Sequence, residues 1–351
     1  MADGQQDLPM TSMERVLTTL GHQEPDRVPL FLLVTMHGAK ELGLSIKEYF
    51  SKAEYVVEGQ LRMLEKYRHD CLYPFFYAAI EPEAFGSETI WFEDGPPNSG
   101  APVISSEHDI RSLQVPDIEN SCLNRVLETT RALKKEVGDR VPIIGVVISP
   151  FSLPVMQMGF PAYIELMYDQ PALFQQLMEV NQEFCVRWAN AQVEAGATAI
   201  CYFDPLTSPT ITAPGEHLQK GFAIAQQTLG RIQSPTAFHL ASGKTLSVVD
   251  EVLAAGSAAL GVSTSEDLEE VKAVCKGRIT VLGNLNGVEM RRWTPQQAKE
   301  KVREAIQKAG AGGGFILSDN HGEIPWQVSE EVLLALSEAV HQWGTYPLTD
   351  C

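Results

Sequence analysis

The 351-residue sequence predicts an α/β protein of the (β/α)8 TIM-barrel class, and three observations point there. Eight short runs of β-branched, aromatic and aliphatic residues recur along the chain. Longer stretches with helical periodicity separate them. The runs are apolar throughout instead of alternating, so both faces of each strand must be covered, as in a parallel sheet wrapped by helices.

The runs occupy residues 28–34, 71–76, 141–148, 197–203, 236–240, 258–262, 279–282 and 314–317. The clearest helix covers 161–195, where Leu166, Leu173, Leu177, Val180, Phe184 and Trp188 fall three, four or seven apart and Gly196 ends the pattern. Thr294-Pro295 places an N-cap before a first-turn proline, and the glycine-rich 310–314 stops that helix. Further helices are expected at 46–67, 123–137, 215–232, 246–255, 265–275 and 329–343. Eight such units fit a barrel of about 250 residues plus additions. A doubly wound sheet is the alternative, but no GxGxxG follows the first run and no GxxxxGK[ST] occurs. The chain reads as one domain, 1–351, with an N-terminal helical extension over 1–27. An insertion over 77–116, rich in glycine and proline, predicts a hairpin and loops beside the mouth.

A net charge of −18 argues against an extended basic surface for nucleic acid or anionic lipid. The longest apolar runs are far shorter than the roughly 20 residues that span a bilayer, and residues 1–13 lack the charged-then-apolar layout of a signal peptide. A cytoplasmic protein is expected. The six cysteines are scattered without a CxxC pair, which predicts reduced thiols acting as small buried hydrophobes.

In a barrel of this kind the chemistry sits at the C-terminal strand ends. Those positions hold Met36 and His37, Tyr77 and Glu81, Ser149, Asp204, His239, Ser263, Asn284, and the turn Asp319-Asn320-His321. Asp204, His239, Asp319 and His321 are the catalytic candidates, because carboxylate and imidazole move protons or orient one another. The plainer roles are a loop cap for Asp204, a core histidine for His239 and a surface turn for 319–323. Met36, Phe76, Tyr77, Phe151, Met156, Met158, Phe160, Tyr202 and Trp326 could wall an aromatic substrate, with His37, Glu81, Asn284 and Asn320 as polar contacts. His239 and His321 are also donor types for zinc. The fifth and eighth strands lie on opposite sides of the ring, so long loops or an ion would be needed to join them. No GxSxG or HExxH is present.

Several segments together resemble the uroporphyrinogen decarboxylase superfamily and, within it, the cobamide-dependent methyltransferases. They are Met13-Glu14-Arg15-Val16, Pro25-Asp26-Arg27-Val28-Pro29, Glu81-Pro82-Glu83-Ala84-Phe85-Gly86, Asp204-Pro205, Gly283-Asn284 and Gly312-Gly313-Gly314-Phe315-Ile316-Leu317-Ser318. The resemblance implies a TIM barrel. It also implies a zinc-binding His-x-Cys on the fifth strand and a second Cys after the eighth. Here His239 matches the histidine, but Ala241 and His321 stand at the two cysteine positions, so a zinc site would depend on imidazole and oxygen ligands alone. The decarboxylases of the superfamily carry an arginine-rich segment after the first strand, and this chain has Leu33-Val34-Thr35-Met36-His37-Gly38 instead.

These departures favour a methyltransferase that removes a methyl group from a small substrate such as an aryl methyl ether and passes it to the cobalt of a corrinoid (cobalamin). No DxHxxG motif is present, so the corrinoid is expected on a partner protein. The alternatives are transfer from methylcobamide to a thiol or folate, a decarboxylase of another substrate, and a binding barrel without turnover. A homodimer face on the 161–195 helix is a further expectation.

Overall fold

The computed structural model describes residues 9–348. The first eight residues of the expected extension and Cys351 lie outside them. Six strands form a parallel sheet in chain order, β3(Ile144–Ile148), β4(Ala199–Phe203), β5(Thr236–His239), β6(Ala259–Gly261), β7(Thr280–Leu285) and β8(Phe315–Asp319). They follow β1(Thr89–Ile90) and β2(Asn98–Ser99), a short antiparallel hairpin inside the 77–116 stretch. Two extended segments close the ring. Leu30 pairs with Leu317 of β8, and Leu72 pairs with Ile143 at the start of β3. The two segments meet through the Asp70 amide, which donates to the Leu30 carbonyl at 2.7 Å. The chain is thus a (β/α)8 barrel.

The first two runs fall short of regular strands for a local reason. Pro29 and Pro74 have no N–H to give a ladder. Buried side chains fill the gaps. Gln60 donates to the Val34 carbonyl at 2.9 Å and accepts from the Tyr73 amide at 3.0 Å, joining the first two segments. Gln192 makes both backbone bonds of Val146, and Glu81 accepts from the Ile148 amide at 3.0 Å. An amide side chain offers a donor and an acceptor at once, so it can stand in for a missing strand residue.

Strand parity sorts the core. Phe31, Leu33, Cys71, Tyr73, Ile144, Val146, Cys201, Leu282 and Ile316 fill the lumen. Their neighbours, including Leu32, Val147, Tyr202, Phe238 and Val281, belong to the larger core that holds the helices. The helix Ser12–Leu20 begins in a Thr11–Glu14 capping box and contributes Val16 and Leu20 to the lumen cluster. The helix expected at 161–195 is two, Phe160–Asp169 and Pro171–Ala195, because proline cannot continue the ladder of the preceding turn. The 46–67 helix is likewise interrupted, into Ile46–Tyr49 and Ala53–Tyr67. Cys71, Cys122, Cys185, Cys201 and Cys275 are free thiols. No helix of the described residues is long and apolar enough to cross a membrane.

Asp70 ties the N-terminal face together. Fully buried, its carboxylate accepts from Arg15 at 2.7 Å, from both terminal nitrogens of Arg27, from the Ser12 hydroxyl and from the Leu30 amide. Removing one member of such a set leaves buried charge uncompensated. Asp70→Ala is therefore expected to lower unfolding free energy by about 3–5 kcal/mol, read from urea denaturation; a loss under ~1 kcal/mol would contradict this role.

Candidate functional site

The loop after β8 builds the mouth. Asp319 ends the strand, and its Oδ2 accepts from the amides of His321 and Gly322 at 2.8 and 2.9 Å, a carboxylate-anchored turn. Gly322 has φ +86°, and a Cβ there would lie 2.0 Å from the Phe203 ring, so the turn requires glycine. The Tyr73 hydroxyl rises through the lumen to the Gly322 carbonyl at 3.0 Å. Glu323 accepts from the Thr35 hydroxyl, and the Ile324 amide donates to the Leu33 carbonyl. His321 Nδ1 meets the Ser242 hydroxyl after β5. The turn thus crosses the mouth and brings groups from the first, second, fifth and eighth staves together.

His239 is fully buried in β5. Its Nδ1 accepts from the Ala241 amide at 3.0 Å, and its ring lies 4.6 Å from that of Phe203. Burial, with a smaller contribution from His321, holds its pKa down to about 3, so it is neutral. A cavity of about 390 Å3 opens above this layer. Phe75, Ile148, Val155, Met156, Phe160, Phe203, Leu206 and Ile211 form most of its wall, with Ser152, His321 and Glu323 as polar points. No lysine or arginine is among the described residues that line it. Burial pushes Glu323 up to about 7 and Asp319 up to about 6, against the hydrogen bonds each accepts.

The other expected residues take different places. Asp204 is fully buried behind the cavity-lining Ser152, accepting from its hydroxyl at 2.7 Å and from Thr207 at 2.6 Å. Burial raises its pKa to about 6 while hydroxyl donors oppose the shift. It thereby fixes two loops that carry the cavity residues Ser152 and Leu206. Tyr202 has the outward parity of β4 and packs on Phe238, and Phe151 packs with Tyr163 and Phe174 under a helix. Met36, Phe76 and Tyr77 lie in the outer core, with the Tyr77 hydroxyl on Glu83 at 2.9 Å. His37 is buried beside Trp326 and held neutral, with a pKa near 3 from burial and then Lys40. Met158 packs in a satellite cluster. Asn284 donates to the Ser263 carbonyl, and the Asn320 amide donates to Leu285, so both tie loops to each other. Of the expected apolar wall, Met156 and Phe160 line the cavity. Thr35, Tyr73, Phe75, Phe203, Ser242 and Glu323 were not singled out by sequence reasoning. Parity would have found Phe203, which pairs with His239 in the β4–β5 register, and Tyr73 with Phe75, which alternate from Cys71.

Glu81 is 2% exposed, and its carboxyl serves Ile148 and Trp188 on the outer side of β3. Burial raises its pKa from 4.5 to about 8. A raised carboxyl contributes stability that is complete below the ordinary value and is lost as pH rises through the folded one. Glu81→Gln keeps the acceptor oxygen without the ionisation. Its melting temperature should therefore gain on wild type between pH 5 and pH 9; a constant difference would refute the assignment.

Among the described residues no three His, Cys, Asp or Glu side chains are grouped to hold a metal ion. His239 Nδ1 accepts from the Ala241 amide and Asp319 Oδ2 from two amides, while Asp319 Oδ1 has no hydrogen-bond partner within the protein.

Comparison with known proteins agrees with the barrel. A uroporphyrinogen decarboxylase (URO-D) family profile matches residues 11–343. Curated relatives include the uroporphyrinogen decarboxylase of Idiomarina loihiensis, 26% identical over 96% of this chain and 97% of that protein. That of Methylococcus capsulatus is 28% identical over 93% and 97%. Among solved structures, a methyltransferase from Methanosarcina mazei superposes with a TM-score of 0.85 at 21% identity, covering 95% of this chain and 99% of that one. The chain belongs to the uroporphyrinogen decarboxylase family.

Proposed function

We propose that this chain is a methyltransferase that takes a methyl group from a small neutral substrate, with an aryl methyl ether favoured, for delivery to a corrinoid carried by a separate protein. The observation that carries this reading is the cavity: mostly apolar, with no cationic side chain among its described lining residues. Its volume lies toward the low end of the range for small-molecule sites, about 300–1,000 Å3. A multiply charged carboxylate would enter it without counter-charge, at a high desolvation cost. A planar apolar ring would meet Phe75, Phe203 and Ile148. The cavity reaches the surface at Phe160 and Ile211, which are exposed, so a bulky planar group can approach. The bound corrinoid would supply a strongly nucleophilic cobalt.

The residues of the chain account for the remainder. Loss of methyl from an ether leaves negative charge on oxygen, and a carboxyl held in its protonated form beside the cavity can donate to it. Glu323 is placed for that work, with Thr35 fixing its orientation. Incubation with a cob(I)alamin donor and a panel of methoxyarenes, methylamines and methyl thiols should give the methylcobalamin spectrum with methoxyarenes; no turnover with any of them would sink the reading. Activity should fall as pH rises through about 7, where Glu323 loses its proton. Glu323→Gln should cost about 10²–10⁴-fold in rate and abolish that limb of the pH profile.

The decarboxylase reading has the names of the curated relatives in its favour. Release of carbon dioxide without methyl transfer would establish it. Transfer to a thiol or folate would appear as consumption of methylcobalamin by those acceptors.

A further inference from the structure

The turn after β5 carries an unusual backbone. Ala241 has φ +50°, in the left-handed region that residues with a Cβ rarely occupy. In the same turn the Ala241 amide donates to the ring of His239, two residues earlier, at 3.0 Å. An amide can only donate, so the nitrogen that receives it, Nδ1, must offer its lone pair. In a neutral imidazole the proton then resides on Nε2. That atom is buried and has no hydrogen-bond partner within the protein.

The neighbouring strand has made room for this ring. A Cβ on Gly261 would lie 2.5 Å from His239 Cδ2 and 2.9 Å from Nε2. On the other side the ring rests against Phe203, which lines the cavity. The ring is therefore held from two sides and by one hydrogen bond.

We infer that the Ala241 turn fixes His239 as its Nε2–H tautomer and, by occupying the Nδ1 lone pair, withholds this ring from metal coordination. A metal ligand needs a free lone pair on one ring nitrogen. Here the single lone pair is occupied and the other nitrogen carries hydrogen. The mouth then works without zinc, and Ala241 is a positioning residue whose effect is transmitted by its backbone and not by its side chain. This rests on placing the working site at this mouth. Its readouts need no methyl donor, so a failed methyl-transfer assay leaves it intact, and a wrong tautomer leaves methyl transfer open.

The test is long-range ¹H–¹⁵N correlation on histidine-labelled protein, together with zinc analysis after equilibration with zinc and dialysis. The His239 ring should show a protonated Nε2 and an unprotonated Nδ1 across pH 6–8, and the mouth should retain less than about a tenth of an equivalent of zinc. Gly261→Ala should shift or split the His239 signals. An Nδ1–H pattern in the wild-type protein would overturn the inference, as would one tightly held zinc per chain that is lost in His239→Gln. Unmoved His239 signals in Gly261→Ala would count equally against it.

Discussion

The carboxylate of Asp70 is the joint on which the barrel closes. It sits where the second stave meets the first, and it draws Arg15 from the N-terminal helix, Arg27 from the approach to the first stave and the Leu30 amide from that stave itself. A buried carboxylate is tolerable only with this many donors, and the donors come from segments that otherwise share little backbone pairing. Higher in the ring no charge is used. Gln60, Gln192 and Glu81 carry the closure there, each spanning a gap that proline or a short strand has left. The two ends of the barrel thus solve one problem differently, with buried ion pairs at the base and neutral hydrogen bonds toward the mouth.

That difference continues into the mouth. The protein carries a net charge of −18, yet Glu81, Asp204, Asp319 and Glu323 are all pushed toward their neutral forms by burial. His37 and His239 are neutral for the same reason. Lys40 acts on His37, but no lysine or arginine among the described residues is a leading influence on the four carboxyls, so desolvation wins there. The upper barrel is therefore a low-charge region inside an acidic protein. Its polar groups act through hydrogen bonds, which are strong and directional once water is excluded. The turn at 319–323 depends on this: Asp319 shapes it, Tyr73 supports it from below, and Thr35 and Ser242 hold its side chains.

Much of the fold was legible because apolar runs of the right length recur eight times with helices between them. The first two runs were read correctly as staves but not as irregular ones, since Pro29 and Pro74 remove donors that a hydropathy pattern does not register. Pro171 was likewise visible in the sequence, yet the helical periodicity continues through it and concealed the break. The site was legible only to the level of which strand ends carry polar residues. Position at a strand end does not say which face a side chain takes. Phe203 and His239 turn inward together, while Tyr202 and Asp204 turn outward by the same period of two. Thr35 and Glu323 are 288 residues apart, and nothing local in either segment announces their bond.

Family membership places the chemistry at the mouth of the barrel and leaves the substrate to the residues that line it. The polar groups lining the present cavity are few, set in a mostly apolar wall, and none of those described is a lysine or arginine. Such a site discriminates poorly by attraction at a distance, because it has no field to steer an anion. It discriminates well by exclusion, because any charged group entering must give up hydration without recompense. A neutral ring with a single polar substituent satisfies both conditions. On the proposed reading the ring would displace water from the phenylalanines, and the charge that matters would appear only as the bond breaks, where a protonated carboxyl would meet it.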